Sequence, residues 1–185
     1  KDSAGHRYNN ALALSARESA TTVPHGEAWN DYAAMLNDLG RYNEAYDAAV
    51  HAVALVDVQT DPRVHAACVA NRAYAEDGLG RFADAERSYA LSTAIYERGL
   101  PATAVSLSIN LNNQAMLLRG MQRIADALPL FERAIETRLQ ALPADHASFG
   151  TLYANLAGAR LELGDIDGAQ RDITRALAIA EQQFA

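Results

Sequence analysis

Hydrophobic and polar positions repeat along this chain at intervals that are typical of stacked helix pairs. One eleven-residue pattern occurs five times, beginning at Gly5, Leu39, Leu79, Met121 and Leu163, so that successive copies are 34, 40, 42 and 42 residues apart. Repeats of this length indicate a solenoid, in which each unit buries its apolar face against the next unit. Folds of this kind present an extended surface rather than a reaction centre.

A second pattern precedes four of these copies and supplies the other helix of each pair. It reads WNDYA, VANRA, LNNQA and YANLA, with a large apolar residue four positions before a small one. Residues four apart share one face of a helix, so this pattern marks the first helix of a pair and the eleven-residue pattern opens the second. We predict nine helices, over residues 6–20, 26–38, 42–57, 63–78, 82–98, 103–119, 123–140, 147–162 and 166–184.

An alanine stands at the seventh position of every eleven-residue copy. The five are Ala11, Ala45, Ala85, Ala127 and Ala169. A small residue that recurs at one point of each repeat predicts that another helix crosses there at close range. A larger side chain would overpack the crossing, at a cost of about 1–3 kcal/mol.

The two patterns together resemble the tetratricopeptide repeat, over nearly the whole chain. The family pattern runs from a large apolar residue through a small one and Gly-x-Tyr to an alanine and a further alanine. The first full repeat supplies Trp29, Ala33, Gly40, Tyr42, Ala45 and Ala52, and a later copy has Gln122 where glycine is expected. The 42-residue spacing and the link containing Pro143, Asp145 and His146 are similar to the long repeats of kinesin light chains and of many bacterial regulators.

The resemblance implies an all-α fold, a right-handed α-solenoid of antiparallel helix pairs with about four and a half repeats. We expect a single array over residues 1–185, with a partial repeat at 1–20 and repeats at 26–58, 63–98, 103–140 and 147–184. The chain is also expected to be part of a longer protein. In the last helix, Ile166, Ile173, Leu177 and Ala180 have no following repeat to cover them, which predicts flanking repeats or pairing in an oligomer.

Composition and charge exclude several classes of function. The formal net charge is −7 and the pI about 5.1, with no basic stripe of the kind that nucleic-acid binding requires. No run of residues is both apolar and long enough to span a membrane. We therefore expect a cytoplasmic location and no membrane partner. A protein or peptide is therefore the expected partner.

The chain also lacks the residues of a catalytic or metal site. Its one cysteine, Cys68, stands among alanines and valine, which predicts a small buried side chain rather than a nucleophile. No two of the five histidines have the i, i+4 spacing of a helical metal site, and no phosphate-cradling or nucleophile motif is present. We expect no catalytic residue, no metal, no cofactor and no enzymatic activity. The histidines are His6, His25, His51, His65 and His146.

The resemblance implies that the first helices of the pairs line a concave groove for an extended peptide or a partner's helix. Asn71, Asn113 and Asn155 occupy one equivalent place, 42 residues apart, with Asp31 at that place in the first repeat. Because a carboxamide both donates and accepts, such a ladder can pair with a peptide backbone. The alternative is that these asparagines bond to neighbouring helices and hold the array together. The expected groove residues are Asn30, Asp31, Asn71, Tyr74, Asn112, Asn113, Met116, Arg119 and Asn155.

Charge adds a preference for the partner. Glu27, Asp31, Asp38 and Asp77 would place negative charge in the amino-terminal part of the groove, which favours a basic ligand. The lysines and arginine with which related domains clamp a chaperone's terminal carboxylate are missing, which excludes that use. Asn30, Ala67 and Asn71 stand in their places.

Two other functions remain open from the sequence alone. The chain could act as a structural or regulatory module that self-associates or docks a neighbouring domain through its end helices. It could also sense a short signalling peptide or a small ligand by a change in superhelical pitch.

Overall fold

The structure is a computed structural model that describes residues 23–182. Within that range every regular element is a helix, and there are eight of them. The first predicted helix, 6–20, lies outside the described residues. The helices are α1 (Val23–Asp38), α2 (Tyr42–Leu55), α3 (Pro62–Gly78), α4 (Phe82–Arg98), α5 (Ala104–Gly120), α6 (Ile124–Leu139), α7 (Phe149–Glu162) and α8 (Ile166–Gln182).

Prolines lie in the first turn of two of these helices. α1 starts at Val23, three residues earlier than predicted, so Pro24 belongs to its first turn. α3 starts at Pro62, and the side chain of Asp61 accepts a hydrogen bond from the backbone N–H of Val64 at 3.0 Å. Proline is tolerated there because the first turn of a helix has no partner for its N–H groups.

The chain divides into two compact units, with the boundary between Ile95 and Tyr96. In unit 1, α1 packs against α2 and α3, and α2 packs against α3. Tyr32 and Leu36 of α1 are buried against the alanines of α2. A second cluster joins α2 to α3 through Val56, Val64 and Cys68. Cys68 is buried, as predicted, and burial raises the pKa of its thiol to about 12.

Unit 2 repeats this arrangement with α5–α8. α5 packs against α6, α7 against α8, and α7 also contacts both helices of the preceding pair. Phe131 and Phe149 are almost completely buried in this unit. The hydroxyl of Ser108 on α5 donates to the backbone carbonyl of Ala134 on α6 at 2.6 Å, so the two helices approach closely at small residues.

The repeated alanines lie where the sequence pattern predicts close crossings. Ala45, Ala85 and Ala127 are fully buried, and Ala169 in the last pair is 8% exposed. Ala11 lies outside the described residues. These alanines allow the second helix of each pair to pack at short range.

Candidate functional site

The predicted site residues lie on the first helices of the pairs, which are α1 and α3 in unit 1 and α5 and α7 in unit 2. α1 contacts α3 within unit 1, and α5 contacts α7 within unit 2. Each unit therefore has its own surface built from two first helices, and each is described separately below.

In unit 1 a carboxamide pair joins α1 to α3. The Nδ2 of Asn71 donates to Oδ1 of Asn30 at 2.9 Å and lies 3.4 Å from the backbone carbonyl of Asn30. Asn37, which is 5% exposed, donates from Nδ2 to the backbone carbonyl of Asn71 at 2.9 Å. Asn71 is thus bonded to the neighbouring helix, as the structural interpretation of the ladder predicts.

The same two helices carry negative charge. Asp31 and Asp38 are exposed, and Asp77 is half-buried with a carboxyl pKa raised by burial. Burial also raises the pKa of the Tyr74 hydroxyl, and the nearby Tyr42, Asp38 and Asp77 add to the effect. The surface is therefore acidic around a tyrosine that is 39% exposed.

A shallow depression of about 290 Å³ lies beside the carboxamide pair in unit 1. Glu27 on its rim lies 3.9 Å from the guanidinium of Arg63. Both side chains are about half exposed or more, so water screens this ion pair and it adds little to stability. The depression is lined by Glu27, Asn30, Asp31, Arg63, Val64 and Ala67.

Unit 2 contains the same kind of carboxamide pair one position out of step with the predicted ladder. Nδ2 of Asn155 on α7 donates to Oδ1 of Asn112 on α5 at 2.9 Å. Nδ2 of Asn112 lies 3.4 Å from Oδ1 of Asn113, at the long end of the hydrogen-bond range. Asn113 is therefore the ladder residue held least firmly by its neighbours in the described part of unit 2.

An ion pair continues the link between α5 and α7. The Arg119 guanidinium donates from Nε and Nη2 to Oε1 of Glu162 at 2.9 and 2.5 Å. The hydrogen bond with Arg119 holds the pKa of the Glu162 carboxyl below its usual range. A Cβ added to Gly158 would lie 3.1–3.2 Å from this guanidinium, so glycine leaves room for the arginine to reach across. The sequence analysis placed Arg119 on the groove but did not predict its pairing with Glu162.

α5 also exposes a row of apolar side chains that the sequence analysis missed. Val105, Ile109 and Met116 are 37%, 49% and 40% exposed. Their spacings of four and seven residues place them on one helix face, which also bears Asn112. Only Met116 was predicted here. The sequence signal for Val105 and Ile109 was that they share a helix face with Met116. A helical pattern alone does not distinguish such an exposed face from one that packs in the core.

A partly buried charge network lies away from these surfaces, among α6, α7 and α8. Arg160 donates to Glu132 at 2.8 Å and to Asp172 at 2.5 Å, beside a depression of about 1070 Å³. Burial raises the pKa of the Asp172 carboxyl, and Arg160 opposes the shift. Sequence spacing gave no sign of this network because the equivalent places one repeat earlier hold Leu118 and Leu130.

Among the described residues no group of histidine, cysteine and carboxylate side chains is placed to hold a metal ion. His146 lies in the turn before α7, within the link that the sequence pattern marks, and its Nδ1 is 2.9 Å from the hydroxyl of Ser148. In residues 23–182 no helix combines the length and the apolar character needed to cross a bilayer.

Comparison with known proteins identifies the repeat. Residues 106–182 match the family model of the tetratricopeptide repeat. No curated protein matches the sequence.

Several solved structures share the fold at low identity. A chain from Podosopora anserina, described as kinesin light chain nearly identical TPR-like repeats, is 18% identical with a TM-score of 0.75, covering 98% of this chain and 87% of that one. BtubC from P. vanneervenii is 19% identical with a TM-score of 0.77, covering 96% of this chain and 72% of that one. Aspartyl phosphate phosphatase F from Bacillus subtilis is 16% identical with a TM-score of 0.80, and the aligned part spans 95% of this chain but 45% of the phosphatase.

At such low sequence identity, the structural similarity shows a shared fold and does not show a shared activity. Residues 106–182 therefore carry the sequence pattern of the tetratricopeptide repeat, and the chain shares the α-solenoid fold of the solved TPR-like repeat structures.

Proposed function

We propose that this chain is a protein-binding scaffold that holds an extended segment of a partner against its first helices. The observation that carries the proposal is the exposed row Val105, Ile109 and Met116 on α5. A soluble surface gains nothing from aligning three large apolar side chains on one helix face, whereas a partner that covers them removes apolar area from water. Such a row is the usual form of a peptide-recognition surface on a helix.

The carboxamides supply the polar half of the surface. In the pairs Asn30–Asn71 and Asn112–Asn155 the carboxamides of Asn71 and Asn155 each donate to the partner's Oδ1, and hydrogen-bonding capacity remains on the carboxamides beyond that bond. The pairs therefore orient groups that can bond to the backbone of a bound segment. We expect Asn113 to contribute most to binding, because its contact with Asn112 is long and is easily replaced by a hydrogen bond to the partner.

The acidic side chains of unit 1 define what the partner carries. Asp38 is exposed near Tyr74, where Asp77 adds to the same field, and Asp31 is exposed on α1. Complementary charge speeds encounter and selects against acidic competitors. Basic residues of a partner suit α1 and α3 of unit 1, and apolar residues of a partner suit α5 of unit 2.

A peptide-display screen tests the proposal. The chain is screened against a random peptide library, in parallel with Asn113→Ala and with the triple change of Asn71, Asn113 and Asn155 to alanine. We expect enrichment of basic peptides with apolar residues, reduced by Asn113→Ala and lost in the triple variant. Asn113→Ala should leave the melting temperature unchanged, which separates lost binding from lost folding. Absence of enrichment from a chain that is folded by circular dichroism would reject the scaffold function on these faces.

A further inference from the structure

The two helix pairs of unit 2 differ in the chemistry that joins them at one equivalent place. In the α7–α8 pair, the partly buried Arg160 donates from Nη1 to Oδ2 of the buried Asp172 at 2.5 Å. One repeat of 42 residues earlier, the same two places hold Leu118 on α5, which is buried, and Leu130 on α6, which is partly buried. One pair of unit 2 is therefore charged at this place and the other is apolar.

Unit 1 shows the same contrast between its two helix pairs. In the α3–α4 pair the equivalent places hold Glu76 and Ser88, which are both buried, and the Ser88 hydroxyl donates to Oε2 of Glu76 at 2.7 Å. Arg72 of α3 donates from Nη2 to the same hydroxyl at 3.2 Å. In the α1–α2 pair these places hold Leu36 and Ala48, which lie in one apolar cluster. Each unit thus contains one apolar and one polar pair.

This contrast makes an exchange of helices between pairs costly. If α5 took α8 as its second helix, the buried Asp172 would face Leu118 and lose its guanidinium partner. If α7 took α6 in the same way, Arg160 would meet Leu130 in place of the carboxylate. A buried charge without its partner is strongly disfavoured, and so is a buried hydrogen-bonding group such as Glu76 without its donor. Each first helix therefore fits its own second helix better than that of the other pair.

We propose that these polar and apolar places specify which second helix each first helix accepts, and so prevent exchange between pairs within a chain or between two copies of the chain. Repeats of similar length and pattern are prone to such exchange, because one second helix can replace another during folding. Buried polar residues fix the register of coiled coils by the same physical means. The inference does not depend on the scaffold function proposed above.

Exchange between copies of the whole chain tests the proposal. The variant Arg160→Leu with Asp172→Leu gives the last pair the side chains of the preceding pair. A tagged and an untagged copy of this variant are unfolded together in urea and refolded, and the untagged copy that is recovered with the tag is measured. Copies that are refolded separately and then mixed show how much recovery comes from association of folded chains. We expect the exchanged share to rise about tenfold or more over that of the unchanged chain.

A second variant repeats the test in unit 1. Glu76→Leu with Ser88→Ala gives the α3–α4 pair the side chains of the α1–α2 pair, and it should raise the exchanged share in the same way. The matched control is Asp84→Ala with Arg87→Ala, which also removes one acidic and one basic residue, but from an exposed ion pair within α4. This control should exchange no more than the unchanged chain.

Stability separates selection of a partner from simple strengthening of the pair. Replacement of a buried ion pair by packed apolar residues is often neutral or stabilising, so the urea midpoint of Arg160→Leu with Asp172→Leu should be unchanged or higher. Two results would overturn the proposal. One is an exchanged share no larger than that of the unchanged chain. The other is a clearly lower urea midpoint, because the polar pair would then act by stabilising its two helices rather than by selecting them.

Discussion

At the scale of single residues, the turn between α5 and α6 holds a glutamine in a backbone conformation that favours glycine. Gln122 has φ of 62°, in the left-handed region, where Gly40 and Gly80 stand in two of the other turns with φ of 70° and 73°. A side chain in this region costs roughly 1–2 kcal/mol, which glycine avoids at the expense of a more flexible unfolded chain.

Gln122→Gly is therefore expected to raise the free energy of unfolding by about 0.5–1 kcal/mol. Gly80→Ala is the matched opposite change, because it adds a side chain at a turn residue instead of removing one. An added Cβ at Gly80 meets no atom within 4 Å, so this variant tests the backbone conformation alone. It should lower stability by about 1 kcal/mol. Urea titration of both variants measures the effects, and a destabilised Gln122→Gly would contradict the account of this turn.

The carboxamide pairs make a second prediction at this scale. Asn112→Ala and Asn155→Ala should each lower stability by about 0.5–1.5 kcal/mol, and the double variant by little more than either one. That non-additivity reports the 2.9 Å bond between them. Asn113→Ala serves as the control and should change stability by a few tenths of a kcal/mol. Strict additivity would show that the two side chains act separately.

The sequence could identify these asparagines but not their partners. The repeat placed Asn71 and Asn155 at equivalent positions, yet each bonds to a residue one place out of step, Asn30 and Asn112. An offset of one residue depends on the rotation of two helices about their axes. That rotation is set by packing, which a linear spacing does not contain.

At the scale of elements, the repeated alanine predicts a sharp dependence on side-chain size. Ala127 is fully buried where the two helices of a pair cross, while Ala125 on the same helix is exposed. We expect Ala127→Leu to lower the free energy of unfolding by about 1–3 kcal/mol, and Ala125→Leu to leave it within about 0.5 kcal/mol. Denaturant titration of the two variants compares them directly. Equal effects would mean that the crossing is not close.

The packing of α2 on α3 makes stability depend on pH through Cys68. Burial raises the pKa of this thiol from 9.0 to about 12, so above pH 9 the unfolded chain releases a proton that the folded chain keeps. Stability is then lost as pH rises. The unchanged chain should have a higher free energy of unfolding than Cys68→Ala, and this difference should shrink as pH increases beyond 9. Urea titrations at a series of pH values measure it. An advantage that stays constant would show that the thiol ionises equally in both states.

Helix positions were largely predictable from the chain, and helix starts were less so. α4 has its predicted limits, 82–98, because strong periodic patterns define both of its ends. α7 begins two residues later than predicted, since His146 and Ser148 bond to each other in the turn before it. Polar side chains that bond locally compete with the first turn of a helix, and hydrophobic periodicity does not record that competition.

At the scale of the whole molecule, the repeat pattern predicted a fold that the structure confirms, but it did not identify all the apolar residues that α5 exposes. Ile109 was passed over because apolar residues in a repeat are normally read as core. Only the completed packing separates the apolar residues that other helices cover from those that stay exposed. The exposed ones on α5 are the residues on which the proposed function depends.

The most direct test of the scaffold account uses a peptide that was selected from the library on the unchanged chain. The affinity of this peptide is measured for two variants of the chain, Ile109→Asp and Val50→Asp. Both changes add a charge at an exposed apolar residue, 49% and 41% exposed, but Val50 lies on α2, a second helix of a pair. The account predicts at least about a tenfold loss of affinity for Ile109→Asp and none for Val50→Asp, measured by isothermal titration calorimetry. Unchanged affinity for Ile109→Asp, with the variant folded, would contradict the claim that the exposed face of α5 holds the partner.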